Sequence, residues 1–587
     1  MKELQHLNKY FKKYWLRLFA GIIITIVARV FSLVMPPYVN KSVREVEAFL
    51  KTEGASVDAL GGVLIENILI ILGAALFSGF FTFLMRQTII NVSRYIEFDL
   101  KNEIFQHYQK LHLAFYKKNR TGDLMNRISE DVSQVRMYAG PVIMYGITTF
   151  TLFACVIPIM FYKAPTIAAY TLLPLPILSV LIYRISKIIH KRSTVVQEFL
   201  SGLSTFAQET FSGVNVIKAY GLERTTAEQM QELAHEGRDK SMDLVKVNAW
   251  FHPMMTLLIG VSNLLVIFIG GQQYISGKID SLGIILEFII YVNMLTWPVA
   301  IVGWLTSVIQ RAEASQKRIN EFLNVAPEIE NSIETDTPIT GTIEFKNVSF
   351  TYPDTGIQAL KNVSFTIKAG ETLAILGKTG AGKSTILDLI ARLYDVDSGE
   401  ILIDGTPLPS LNLNSLRNSL GAVPQDAFLF SDTIANNIKF GKEDASSAEI
   451  ETAAKNAAVH ENIIGFKQGY ETILGERGLT LSGGQKQRVS IARALIKDPN
   501  IFLFDDCLSA VDTETEEKIL GNLQEASSSK TSLIVSHRVS SARTADQIII
   551  LQDGEIAQNG PHELLLSENG YYKELYHTQL TDKENPQ

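Results

Sequence analysis

Cysteine is nearly missing from this 587-residue chain, which has only Cys155 and Cys507. Two are too few for a disulfide framework, so a stapled secreted scaffold is excluded and a reducing compartment fits; both read as buried structural thiols. An excess of positive charge is missing too. The net charge is -7 and the pI near 5.9, which leaves no basic footprint and excludes nucleic acid as a partner. No small-residue cleavage site follows the first apolar run, so the charged, aromatic N-terminus reads as a retained signal-anchor. What the chain does have is apolar surface. Hydrophobic residues make up 47% and the mean hydropathy is +0.13. The length exceeds that of one domain, and the apolar excess sits in the first half.

A spanning helix needs about 20 predominantly apolar residues. Six stretches meet this: 15–37, 60–84, 137–161, 164–183, 250–274 and 282–308. They are too long and too numerous for buried core helices, so they predict six transmembrane helices. The connections alternate in charge and length. The segment 85–136 carries nine Lys and Arg, whereas in 40–59 Lys41, Arg44 and Lys51 are offset by Glu45, Glu47, Glu53 and Asp58. The positive-inside rule therefore puts 85–136 and 185–249 on the inner face. Both are polar and helix-forming, and 20 residues of helix reach about 30 Å. Each contains a turn signal: Gly122-Asp123, read as a turn or N-cap opening a short helix, and the Ser212-Gly213 neighbourhood. Their placement at the tips of long extensions marks them as docking surfaces.

Charges inside spans are costly, about 2.5–3.5 kcal/mol on insertion scales. Arg29 in the first span and Glu287 in the sixth stand out. Both fall in the outer half of the bilayer, where they could pair; Glu287 could instead face a cavity and meet a cationic substrate group.

After residue 310 the chain turns helical and charged, then acidic through 328–340, a linker. From Thr342 strands alternate with helices, as in an α/β domain. The divisions expected are a membrane domain at 1–325, a linker at 326–341, a nucleotide domain at 342–580 and a polar tail at 581–587. The apolar strand Glu371–Leu376 runs into Gly377-Lys-Thr-Gly-Ala-Gly-Lys-Ser384 and then a helix, the P-loop in its required context. Gly377, Gly380 and Gly382 let the backbone curl around phosphates, with Thr379 in the same loop and Thr385 opening the helix, whose N–H groups bind the anion. Lys383 would reach the β- and γ-phosphates, and Ser384 would ligate Mg²⁺. With an ATP site in the second half and an even number of spans, both chain ends belong in the cytoplasm.

Further motifs give the family. Leu481-Ser-Gly-Gly-Gln485 precedes the apolar strand 501–504, which ends in Asp505-Asp506. Together with the P-loop these resemble the ABC transporter signature and Walker B motifs. Tyr352 resembles the aromatic that stacks on adenine, and Gln425 in Val-Pro-Gln-Asp the Q-loop. Asp512 closes a Ser509-Ala-Val-Asp stretch like the D-loop, His537 in Val-Ser-His-Arg resembles the H-loop, and Gly475-Glu-Arg-Gly478 resembles the short exporter motif. The resemblance spans essentially the whole chain and is nearest to bacterial multidrug and lipid-type half-exporters. It implies a six-helix membrane domain plus a P-loop cassette in the bacterial inner membrane, exporting small amphipathic molecules or lipids by alternating access. It also implies that Ser482, Gly483, Gly484 and Gln485 of one chain complete the ATP site of a second half-transporter. Asp505, Ser384 and Gln425 would hold Mg²⁺, and Gln425 and His537 would join the residue after Asp505 in catalysis.

That residue is a departure. The family usually has glutamate where this chain has Asp506, one methylene shorter and so roughly an ångström short of the attacking water. Such a misplacement can cost on the order of 10²-fold. The same change resembles one subunit of asymmetric heterodimeric exporters, which favours a heterodimer over a slow homodimer. The rival readings are an importer on the same scaffold and an ATP-gated regulator with little hydrolysis. Tyr145, Asn263, Asn293 and Trp297 would suit an amphipathic ligand, though such residues also serve ordinary helix packing.

Overall fold

The apolar runs of the first half fold as long helices whose lengths exceed what a bilayer needs. In the computed structural model, residues 2–52, 57–331, 333–475, 481–507, 513–526 and 529–584 are described. The chain separates into two units, 1–106 with 122–324 and 107–121 with 325–587.

The first unit is helical. Among the described residues five helical stretches are long and apolar enough to cross a membrane: α1 (Trp15–Lys51), α2 (Val57–Lys110), α4 (Thr121–Lys163), α8 (Glu223–Ile275) and α9 (Gly283–Leu323). They contain five of the six predicted spans. The stretch 164–183, predicted as one helix, is divided between α5 (Pro165–Leu172) and α6 (Pro174–Ser212). Pro174 has no N–H to give to a preceding turn and its ring crowds the carbonyl four residues back, so the helix breaks at Leu173. A composition window does not register that break.

Gly122 and Asp123 lie inside the first turn of α4 rather than ahead of it. There Asp123 accepts from Arg127 Nη2 at 2.9 Å, an i,i+4 pair at a helix start that favours the acid. The turn after α6 falls at Gly213 and leads into α7 (Val214–Tyr220). Gly221 ends α7 at φ +65°, a left-handed C-cap, and the Leu222 N–H returns to Ile217 O at 2.9 Å. Phe211, Val214, Val216, Tyr220 and Leu222 are exposed around this tip.

In the second unit apolar strands make two sheets. One is antiparallel, in the order β2-β1-β4-β5, with β1 (Ile343–Thr351), β2 (Gln358–Ile367), β4 (Ser398–Ile403) and β5 (Thr406–Pro407). The other has the order β10-β9-β3-β8-β7-β6, with β3 (Thr372–Gly377), β6 (Leu420–Val423), β7 (Ile501–Asp505), β8 (Thr531–Val535), β9 (Gln547–Gln552) and β10 (Glu555–Gly560). Neighbours from β9 to β6 are parallel, and only β10 runs antiparallel. Leu373–Leu376 and Ile501–Phe504 are buried throughout, as expected of strands covered on both faces. The parallel arrangement brings the C-terminal ends of β3, β6, β7 and β8 to one edge, where open α/β sheets bind ligands.

Candidate nucleotide site

The loop after β3 must fold back tightly before α10 (Lys383–Ile390) begins. Gly377 has φ +152°, and a Cβ there would lie 2.2 Å from Leu551 O; at Gly382, φ +97°, it would lie 2.3 Å from Ala359 O. No side chain fits either position. Gly380, φ +83°, faces open space beside the exposed Thr379. The Lys383 ammonium is buried and donates to Gly377 O at 2.8 Å and Lys378 O at 3.0 Å, spanning the mouth of the loop. Burial pushes it below its ordinary pKa, while Asp506 and Asp505 pull the other way.

Ser384 Oγ donates to Asp505 Oδ1 at 2.9 Å, so the P-loop and β7 meet through one hydroxyl and one carboxylate. Hard oxygen donors of this kind are what Mg²⁺ prefers. Burial raises the Asp505 carboxyl above the usual range, Ser384 opposes the shift and the Asp506 charge adds to it. A dication beside it would relieve that burial. Asp506 itself is buried at φ +42°, and its N–H donates to Val535 O at 2.9 Å. Asp tolerates the left-handed region better than most residues.

Gln425 is exposed two residues past the end of β6, and its carbonyl lies 3.4 Å from Gln487 Nε2. His537 stands two residues past β8 and is half-buried. Ser482 is the N-cap of α11 (Gly483–Leu495): its N–H donates to Gln485 Oε1 at 2.9 Å and its Oγ accepts from Gln485 N. This capping box engages the N–H groups of Ser482 and Gln485 and not those of Gly483 and Gly484. α11 packs in an apolar cluster separate from the one that holds α10. Asp512, with 508–511, and the Glu476–Gly478 part of the short exporter motif lie outside the described residues.

Tyr352 lies at the edge of the site. Its hydroxyl is 2.9 Å from Thr385 Oγ1, and its ring packs edge-on against Phe350 and Tyr394. The Lys117 ammonium, in α3 (Leu113–Lys118), sits 4.7 Å from the Tyr352 centroid and 5.2 Å from that of Tyr394. Nothing in the sequence ties Lys117 to a tyrosine 235 positions later, so this contact was invisible to motif reading. The buried Glu516 was missed as well. It sits in α12 (Thr513–Ala526) and accepts from Ser540 Oγ and Ser541 Oγ at 2.9 Å each and from Arg538 Nη1, bracing the loop that carries His537.

In the membrane unit the expected Arg29–Glu287 pair is not formed. Glu287 is buried and accepts from Lys163 Nζ at 2.5 and 2.8 Å, Asn40 Nδ2 at 2.7 Å and Tyr291 OH at 2.7 Å. Arg29 turns toward α2, with Nη2 3.4 Å from Thr82 Oγ1. Lys163 ends α4 and Glu287 opens α9, so two helix ends bring them together, whereas the segment carrying Arg29 packs on α2. Of the residues read as ligand-facing, Trp297 is exposed, while Tyr145 packs edge-on against Trp304 at 5.9 Å.

Comparison with known proteins agrees with this architecture. The family described as ABC transporter transmembrane region matches residues 18–299, and that described as ABC transporter matches 360–509. The multidrug resistance-like ATP-binding protein MdlA of Escherichia coli (strain K12) is 34% identical over 581 residues, 99% of this chain and 97% of that protein. The ATP-dependent lipid A-core flippase of Syntrophus aciditrophicus (strain SB) is 36% identical over 494 residues, 82% of this chain and 80% of the other. The solved structure of a bacterial Atm1-family ABC exporter with ATP bound superimposes with a TM-score of 0.79 at 28% identity, covering 96% of this chain and 98% of that one.

Proposed function

The chain belongs to the ABC exporter family and couples ATP hydrolysis to transport across a membrane, and we propose that it works as one half of a dimer whose own ATP site turns over slowly. Asp506 carries this reading. Its backbone N–H is pinned to Val535 O, so the main chain does not advance to make up the missing methylene. Lys383 and the P-loop amides bind the phosphates of ATP, and Tyr352 stacks on adenine. Ser384, Asp505 and Gln425 would hold Mg²⁺, which would screen the phosphate charge when bound. His537 and Gln425 then position the γ-phosphate and the attacking water, while Asp506 polarises that water from too far away.

The signature residues Ser482, Gly483, Gly484 and Gln485 face the ATP held by the partner, and Asp512 is assigned to the D-loop by sequence alone. The intact signature, set against the shortened acid, favours a partner that supplies a glutamate of its own. The segments 119–125 and 209–214, at the ends of long helical extensions, are read as docking surfaces that carry cassette motion to the membrane helices. ATP favours the closed cassette dimer and the outward-open cavity; product release restores the inward state. Relatives named for multidrug resistance and for lipid A-core flipping support amphipathic small molecules or lipids as cargo, and a bacterial inner-membrane location with the ATPase in the cytoplasm.

Inside-out vesicles test direction and orientation together. ATP supplied outside should drive accumulation of a fluorescent amphipathic dye in the lumen, and Lys383→Ala should abolish it. ATP-driven loss of preloaded dye would instead support import.

A further inference from the structure

The segment carrying His537 leaves β8 at Val535 and is tied back to the central strand through Ser536 N, which donates to Ile375 O at 3.2 Å. Beyond that point side chains from outside the sheet hold it. Glu516 of α12 braces one side through Arg538, Ser540 and Ser541. The other side is held by one amide from a helix that carries no nucleotide motif. In α13 (Tyr571–Glu584), Gln579 Nε2 donates to His537 O at 2.8 Å, and Gln579 Oε1 accepts from Val539 N at 2.8 Å. A primary amide donates and accepts in one plane, so the single Gln579 side chain can meet a carbonyl and an N–H at the same time. It closes on the two backbone groups that bracket Arg538, one of them belonging to His537 itself.

We infer that Gln579 is a positioning residue for His537: α13 sets where the imidazole stands, and through it the rate of hydrolysis. The inference rests on the catalytic reading of His537. A positioned group that drifts by about an ångström can lose on the order of 10²-fold in rate. Binding of ATP by the P-loop, which α13 does not touch at Gln579, should be nearly unaffected. Glutamate at 579 would still accept from Val539 N but has no hydrogen for His537 O, so it should break half the clamp.

The test uses the full-length chain in lipid, in an Asp506→Glu background where hydrolysis at this site is expected to be fast. Gln579→Ala and Gln579→Glu should each lower kcat by about 10-fold or more and leave KM for ATP within about 3-fold. Tyr572→Phe, which loosens α13 at its contact with His562 Nδ1 without touching the loop, should keep kcat. In the otherwise unmodified chain, amide exchange across 536–541 should speed up in Gln579→Ala. Equal loss in Tyr572→Phe would overturn the proposal, because general packing of α13 would then be the cause. Unchanged exchange would overturn it whatever the rates. His537→Ala separates the two readings. A full rate in His537→Ala sinks the catalytic role and the clamp with it, whereas a slow His537→Ala beside a full-rate Gln579→Ala sinks the clamp alone.

Discussion

Ser384 and Asp505, 121 positions apart, meet at 2.9 Å where the P-loop crosses the end of β7. The hydroxyl belongs to the loop that binds phosphate and the carboxylate to the strand that carries Asp506, so one contact ties nucleotide binding to the catalytic edge. Ser384→Ala and Asp505→Asn should each weaken binding of Mg-ATP by about 10-fold, near 1.4 kcal/mol. The double variant should lose little more, because both changes remove one shared interaction. Nucleotide titration with and without magnesium checks this, and without magnesium the three variants should bind like the parent.

Glu287 gives a stability prediction. Removing one partner of a buried ion pair typically costs about 3–5 kcal/mol, because a charge is left uncompensated. Lys163→Met should therefore lower the thermal midpoint sharply, and Lys163→Met with Glu287→Gln should recover much of it. Since three internal partners already engage the carboxylate, Glu287→Gln should change transport of cationic and neutral compounds alike. A selective loss for cations would show a recognition role.

Tyr352 and Lys117 share one ring face in this structure, and such a contact is worth about 0.5–2 kcal/mol. A base that stacks on the face Lys117 covers has to displace the ammonium. Tyr352→Ala should weaken ATP binding several-fold. Lys117→Met should strengthen it by a few-fold, since nothing then competes for the ring. Equilibrium binding of a fluorescent ATP analogue distinguishes the cases.

Asp388, on the inner face of the P-loop helix, gives a pH signature. Burial raises its carboxyl to about 6, with Lys117 opposing and Asp505 adding. Unfolded, it would titrate near 3.9. The native state thus holds the extra proton between those values, and the stability this contributes is complete below about pH 4 and lost as pH rises through 6. Asp388→Asn keeps a neutral group throughout. Relative to the parent it should gain stability from pH 4 to 7, by up to about 3 kcal/mol at 1.36 kcal/mol per pKa unit. Thermal unfolding of both proteins across this range measures the difference.

Much of the nucleotide site was legible because its chemistry is local. Gly377 and Gly382 announce a backbone that admits no Cβ, and Ser482 with Gln485 spells a capping box three residues long. Five apolar runs were equally plain, since about 20 apolar residues in a row have few other uses. What the sequence hid is pairing at long range. Lys163 reads as a loop residue until helix ends bring it to Glu287, and Glu516 and Gln579 lie in polar helical stretches until they close on the loop of His537. The break at Leu173 was missed for another reason: hydropathy counts Pro174 as a mild residue, although its effect is on the backbone.

The account turns on Asp506, and Mg-ATPase activity of the chain purified alone in lipid tests it most directly, beside Asp506→Glu and Lys383→Ala. The unmodified chain should run close to the Lys383→Ala background, and Asp506→Glu should raise the rate by about 10- to 10²-fold. Clear activity in the unmodified chain, abolished by Lys383→Ala and not improved by Asp506→Glu, would contradict the slow site and describe a self-sufficient homodimer.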